Sequence, residues 1–140
     1  MAFRIPYRLF DDGHGGYLPS VTLRVQLGRT GDSSQRSRVI EAIIDSGATR
    51  CVFTAEIAAE MGIDLKSGVR EIALGIGGEQ EMWLHDVMLY LPGGAVEIHA
   101  AFQEDMPLAG LLGMQGFFEH FRITFDGAVR QCELERLFKL

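Results

Sequence analysis

Between Val21 and Leu27 (VTLRVQL) apolar and polar side chains alternate, which predicts a strand with one buried face. Gly28–Arg38 (GRTGDSSQRSR) is polar and rich in Gly and Ser and reads as a flexible hairpin loop. Val39–Ile44 (VIEAII) predicts a second strand whose apolar end is buried, and it runs straight into Asp45-Ser46-Gly47-Ala48. Thr54–Met61 reads as a short helix. Thr54 is a good N-cap, Glu56 and the alanines favour helix, and Gly62 is a good stop.

Val69–Leu74 predicts a strand, followed by the glycine-tipped turn Gly75-Ile76-Gly77-Gly78 and a strand through Trp83 and Leu84. Val87–Leu91 and Ala95–Phe102 form a further hairpin around Pro92-Gly93-Gly94. A short apolar run, Leu108–Gly113, precedes a predicted helix of one to two turns over Met114–Phe121, with Phe117, Phe118 and Phe121 on core-facing helical spacing. Arg122–Phe125 and Ala128–Leu134 flank Asp126-Gly127, a strong hairpin signal. Many short strands, two short helices and no βαβ rhythm predict an all-β fold, a small, closed, mostly antiparallel β-barrel.

Composition narrows the choice. A chain of 140 residues is one domain's length. It divides into an N-terminal extension over 1–20, a core over 21–126, and a C-terminal hairpin strand and tail over 127–140. The 17 glycines fit a turn-rich β protein. The net charge of −6 argues against a nucleic-acid partner, because phosphate contacts need clustered Lys and Arg. The charge is uneven: residues 1–40 hold six Arg against three Asp, and the remainder is strongly acidic. A solvated arm explains this, since exposed charges are screened at physiological salt. The start lacks an apolar signal region, and no run approaches the ~18 apolar residues of a membrane span. A soluble, cytoplasmic protein is therefore expected. The two cysteines make neither a disulfide scaffold nor a zinc site. Cys51, beside Val52 and Phe53, reads as a buried apolar thiol and not a nucleophile. The four histidines show no ligand spacing, so no metal or other cofactor is expected.

The chemistry concentrates at Asp45. A carboxylate ends an apolar strand, and burial excludes Asp unless something pairs it. Asp-Ser-Gly is also an ordinary turn sequence, so the triplet alone decides nothing. Two later features change that: the glycine-tipped hairpin at 75–78, and Ala109-Gly110-Leu111-Leu112-Gly113. In this order the three resemble the retropepsin-like (retroviral-type) aspartic proteases over roughly residues 20–126.

That resemblance implies a homodimeric aspartic endopeptidase of the acid protease fold. Metal-free hydrolysis needs one group to take a proton and another to give one. Two carboxylates held close together share one proton and so fill both roles. The sequence holds a single Asp-Ser-Gly-Ala, so Asp45 must meet Asp45 of a second copy across a two-fold axis. By the same resemblance, Ser46 holds the two loops together, Gly47 offers backbone to the substrate, and Ala48 lines the cleft. Gly75, Ile76, Gly77 and Gly78 form a flap over the bound peptide, with Ile76 as its apolar tip. Leu111, Leu112 and Gly113 pack beneath the catalytic loop. A protein or peptide substrate with apolar residues beside the scissile bond and a mildly acidic optimum are expected.

Two positions depart from the family. Thr49 stands where Asp or Ser is frequent, and Met114 where Arg is frequent. The viral enzymes form an ion pair between these positions. With both partners absent no buried charge is left unpaired. The dimer contacts are then built differently, with the Arg122–Leu134 hairpin as a candidate. The alternative reading is a non-catalytic dimerisation or peptide-binding module on the same fold, with an idle Asp45.

Overall fold

The computed structural model of the chain describes residues 2–75 and 77–137. Thirteen strands follow one another with little else: β1 (Ala2–Pro6), β2 (Arg8–Asp11), β3 (Tyr17–Ser20), β4 (Thr22–Arg29), β5 (Asp32–Arg36), β6 (Ile40–Ile44), β7 (Val52–Thr54), β8 (Val69–Gly75), β9 (Gly78–Leu91), β10 (Gly94–Gln103), β11 (Gly110–Leu112), β12 (Phe121–Asp126) and β13 (Gln131–Arg136). Among the described residues a single α-helix, α1 (Ala55–Glu60), follows β7, and one-turn 3-10 helices lie at Leu65–Ser67 and Phe118–His120.

Six strands close a circuit of pairings. β4 pairs with β6, β6 with β11, β11 with β7, β7 with β10, β10 with β9, and β9 returns to β4. The predicted barrel is therefore present as a ring-like sheet, with β5 and β8 hydrogen-bonded to its outside. Most neighbours are antiparallel, but β7–β10 and β6–β11 are parallel. The alternating phase of β4 places Leu23, Val25 and Leu27 inside the ring. There they meet Ile40, Ala42 and Ile44 of β6 and the rings of Phe53 and Phe102, whose centroids are 6.1 Å apart.

Several local expectations change. The polar stretch after Leu27 is not a free loop: β5 pairs back on β4, and the buried Ser37 hydroxyl accepts the Leu27 N–H at 3.0 Å. The strands expected at 79–84 and 87–91 are one 14-residue strand, because His85 and Asp86 continue the ladder to β10 without a break. The helix over Met114–Phe121 is reduced to the single turn Phe118–His120. Gly116 has φ +98°, a left-handed conformation that ends any helix through it. Phe117 and Phe121 still reach the core, stacked at 5.0 Å, while Phe118 is partly buried. Asp126-Gly127 does not make a two-residue turn. Asp126 pairs with Gln131, and its Oδ1 accepts the N–H groups of Ala128 and Val129 across a wider loop.

The first residues are not a free arm. β1 adds to β13, and β13 to β12, in a separate three-stranded sheet. Phe3, Ile5 and Tyr7 pack against the main core, which also takes in Cys132 and Leu134. β2 and β3 form a two-stranded hairpin that exposes Leu9, Phe10, Tyr17 and Leu18. Among the described residues, no helix is long and apolar enough to cross a membrane.

Phe102 is fully buried where β10 meets β7, so Phe102→Ala should cost about 3–5 kcal/mol through lost transfer energy and an unfilled cavity. Urea unfolding should show this as a lowered midpoint at unchanged slope. Val129→Ala, at an exposed loop position, should stay within about 0.5 kcal/mol of the parent.

Candidate active site

The Asp45 loop is held at both ends by one strand. β11 lies between β6, which enters the loop, and β7, which leaves it. Leu112 pairs in parallel with Ile44, and Leu111 lies opposite both Ile43 and Val52. The Asp45 N–H donates to the Leu112 carbonyl at 2.9 Å, and one residue earlier the Ile44 N–H donates to the Val21 carbonyl at 2.9 Å. Beyond β11 the chain continues alongside the loop. The Met114 N–H donates to the Ala48 carbonyl at 2.8 Å and the Gln115 N–H to the Thr49 carbonyl at 2.9 Å.

Within the loop Asp45 shapes its own turn. Its Oδ1 accepts the Gly47 N–H at 2.9 Å, and its carbonyl accepts the Ala48 N–H at 3.2 Å. Asp45 and Ala48 are half-buried, while Ser46 and Gly47 are exposed. A Cβ on Gly47 would sit 3.2 Å from Asp45 Oδ1, crowding the carboxylate from its turn side. Gly113 is the tightest point. A Cβ there would come within 2.7 Å of the Ala48 carbonyl oxygen and closer still to that of Arg50. Both obstacles are backbone, so neither can swing aside.

The structure therefore brings Asp45, Ser46, Gly47 and Ala48 together with Leu111, Leu112 and Gly113 beneath them. The glycine hairpin is formed by β8 and β9, with Gly75 paired to Gly78 and Gly78 at φ +102°. Gly77 lies in the turn, and Ile76 lies outside the described residues. The side-chain phase of β8 is the reverse of what its apolar residues suggest. Ile72 and Leu74 are 45% and 85% exposed, while Glu71 and Ala73 face inward.

Glu71 meets Arg50, a residue that the motif reading passed over. Arg50 Nε and Nη2 donate to the two Glu71 carboxylate oxygens at 2.7 and 2.9 Å, and Nη1 donates to Gln115 Oε1 at 2.6 Å. These three residues, with Thr49, Ile72 and Ala73, line a cleft of about 340 Å³ between the loop and the hairpin. One sequence signal was available: Arg50 is the only basic residue between Val39 and Leu65, immediately after the motif.

Cys51 lies under the loop, fully buried. The Gly113 N–H points at its sulfur at 3.4 Å, and the thiol faces the Gln115 carbonyl at 3.4 Å. Burial pushes its pKa up to about 11, and burial does the same to Cys132. Among the described residues, no three of His, Cys, Asp and Glu are grouped to hold a metal ion.

Two outcomes follow from this packing. Gly113→Ala should destabilise the protein by at least about 1–3 kcal/mol, because the methyl group meets two carbonyls. Gly127→Ala, with open space around it, should be near neutral; thermal melts of both variants check this. With pKa values raised to about 11, both thiols remain protonated at pH 8, with roughly one part in a thousand as thiolate. Iodoacetamide at pH 8 should leave both cysteines unlabelled in the native protein and label both in urea.

The comparisons agree with this geometry. The aspartyl protease family model matches residues 30–115, a span that includes the Asp45 loop, the hairpin and β11. No curated protein matches the chain. Among solved structures, a retropepsin-like aspartic protease from Rickettsia conorii superposes with a TM-score of 0.66 at 19% identity, covering 96% of this chain and 98% of that one. The retroviral protease-like domain of Ddi1 from Leishmania major gives 0.52 at 20% identity over 84% and 94%. The EIAV protease, complexed with the inhibitor HBY-793, gives 0.50 at 20% identity over 67% and 81%. At these identities the likeness is one of fold, and the family match covers more than half of the sequence. With the ring-like sheet and the Asp45 loop clasped around β11, these findings show that the chain belongs to the aspartyl protease family, with the retropepsin-like fold.

Proposed function

We propose that this chain is an aspartic endopeptidase that works as a homodimer, with Asp45 from each copy forming the catalytic pair. The observation that carries this reading is the presentation of Asp45. It is half-buried, its backbone is fixed to Leu112, and Oδ1 is held by Gly47, so the carboxylate is fixed yet open to a partner. One carboxylate cannot both accept and donate a proton in the same step, so the second must come from another copy.

In the paired site the ionised carboxylate takes a proton from water while the water oxygen bonds to the scissile carbonyl carbon. The protonated carboxyl gives its proton to the carbonyl oxygen, leaving a neutral tetrahedral diol. Collapse of that diol breaks the C–N bond. The departing nitrogen takes a proton, and the products are a carboxylic acid and an amine. Ser46 links the two loops, Gly47 exposes backbone to an extended substrate, and Ala48 lines the cleft. The hairpin tipped by Gly75, Ile76, Gly77 and Gly78 acts as the flap, excluding water and pairing with the peptide as an added strand. Leu111, Leu112 and Gly113 support the loop and take no part in the chemistry. Apolar side chains beside the scissile bond are the preferred substrate. The three-stranded sheet of β1, β13 and β12, with Phe125 exposed on β12, supports a dimer face built from the terminal strands.

The other reading is a peptide-binding module on the same fold. It is favoured by Met114, which is 49% exposed and uncharged at a position where the family frequently has Arg.

Sedimentation at micromolar concentration should show a dimer, and peptide-library digestion should show cleavage inhibited by a hydroxyl-containing transition-state mimic. Asp45→Asn should remain dimeric and lose at least about 10³-fold in kcat, because the pair can no longer both take and give a proton. A strictly monomeric protein that still cleaves, or cleavage that survives Asp45→Asn, would overturn the mechanism. Dimers that bind the mimic without cleaving any peptide would favour the module.

A further inference from the structure

We propose that Arg50 and Glu71 form a latch that fastens the root of the glycine hairpin to the Asp45 loop, with Arg50 as a positioning residue. β8 is an edge strand whose only backbone partner among the described strands is β9. Of its inward side chains, Glu71 is charged, and Ala73 packs only a methyl group against the cluster of Val52, Met82, Leu84 and Ala101. On β8 the hairpin is fastened by the two-pronged bond from Arg50, at 2.7 and 2.9 Å, while on β9 Gln80 Oε1 accepts from Gln103 Nε2 at 3.0 Å.

Three features suit the pair to this role. Arg50 and Glu71 are sheltered, with side chains 23% and 33% exposed, so solvent screens them less than a surface pair. The Arg50 backbone is fixed, since it bridges to Gln115 and its carbonyl abuts Gly113. The guanidinium is also fixed on its far side by Gln115 Oε1 at 2.6 Å, so its free fork is already aimed when Glu71 arrives. A planar fork matches a carboxylate in a way that a lysine ammonium does not.

Glu71 stands four residues before Gly75, so fastening it leaves the tip free to move while holding the root. Opening then bends the hairpin beyond Glu71. Without the latch the whole hairpin pivots on β9. Asp45 donates to the Leu112 carbonyl and accepts from Gly47 and Ala48, with no bond to Arg50, so releasing the latch should change how tightly the cleft is covered more than the chemical step. That catalytic consequence rests on the protease reading; the mechanical link does not.

The test separates the two. In an Asp45→Asn background, which needs no turnover, amide hydrogen exchange at Leu74, Gly75, Gly78 and Glu79 should rise about tenfold or more in Glu71→Gln and in Arg50→Met. Exchange in β10 should stay unchanged. Arg50→Lys, which keeps the charge and loses the fork, should behave like Arg50→Met. With Asp45 intact, Glu71→Gln should raise KM about tenfold and leave kcat within about twofold. Parental exchange at the hairpin in both Glu71→Gln and Arg50→Met overturns the latch. Equal acceleration in β10 also overturns it, because the pair would then be supporting the whole fold. If the parent protein cleaves nothing, the protease reading falls while the exchange result still decides the latch.

Discussion

Everything at the Asp45 loop depends on a backbone-to-backbone contact at Gly113. β11 enters between the strand that delivers Asp45 and the strand that leads away from it, and all three must lie at hydrogen-bonding distance. At the mouth of that slot the chain passes over the carbonyls of Ala48 and Arg50 with no room for a side chain. Closeness here lets Asp45, Ala48 and Thr49 all bond to the 112–115 segment, which makes the seven-residue excursion between β6 and β7 rigid. The buried Cys51 completes the arrangement from below. It is small enough to sit beneath Gly113 and Gly116, and protonated because charge is costly there.

The sequence made this site legible because its parts are short and local. Asp45-Ser46-Gly47-Ala48, the glycines of the hairpin and Leu111-Leu112-Gly113 each have a physical reason to be contiguous. The ring-like sheet was legible from alternation in β4 and from the glycine turns. What stayed hidden was set by distant contacts. No local rule joins His85 and Asp86 to a single long β9; pairing with Ala100 and His99 of β10 does so. The expected helix after Met114 follows from its aromatic spacing, yet Gly116 adopts a left-handed backbone conformation and packs against Cys51 and Ile98. β1 looked like a solvated arm because its charges are visible in sequence and its partner, β13, lies some 130 residues away.

The two departures from the family pattern look different with the structure in hand. Thr49 and Met114 carry no charge, so an ion pair between those positions is absent. One residue further along each segment, Arg50 and Gln115 meet side chain to side chain at 2.6 Å. A polar tie thus still joins the same two segments, and its guanidinium also meets Glu71 of the hairpin. Arg50 therefore ties the loop both to the segment after β11 and to the covering hairpin.

The inverted phase of β8 follows from the same logic. An edge strand with Ile72 and Leu74 turned inward would adhere to the body by apolar packing over its whole length. Such contact is non-directional and hard to release a part at a time. Here Leu74 faces outward, and the inward contacts of β8 are a bidentate ion pair near the root and the small methyl of Ala73. An ion pair is directional and local, so it fixes one point of a strand and leaves the rest to bend. On the proposed reading, the hairpin must admit a chain, cover it and let the products go. Local polar fastenings near its root, with glycines at its tip, permit those movements without unfolding the sheet from which the hairpin grows.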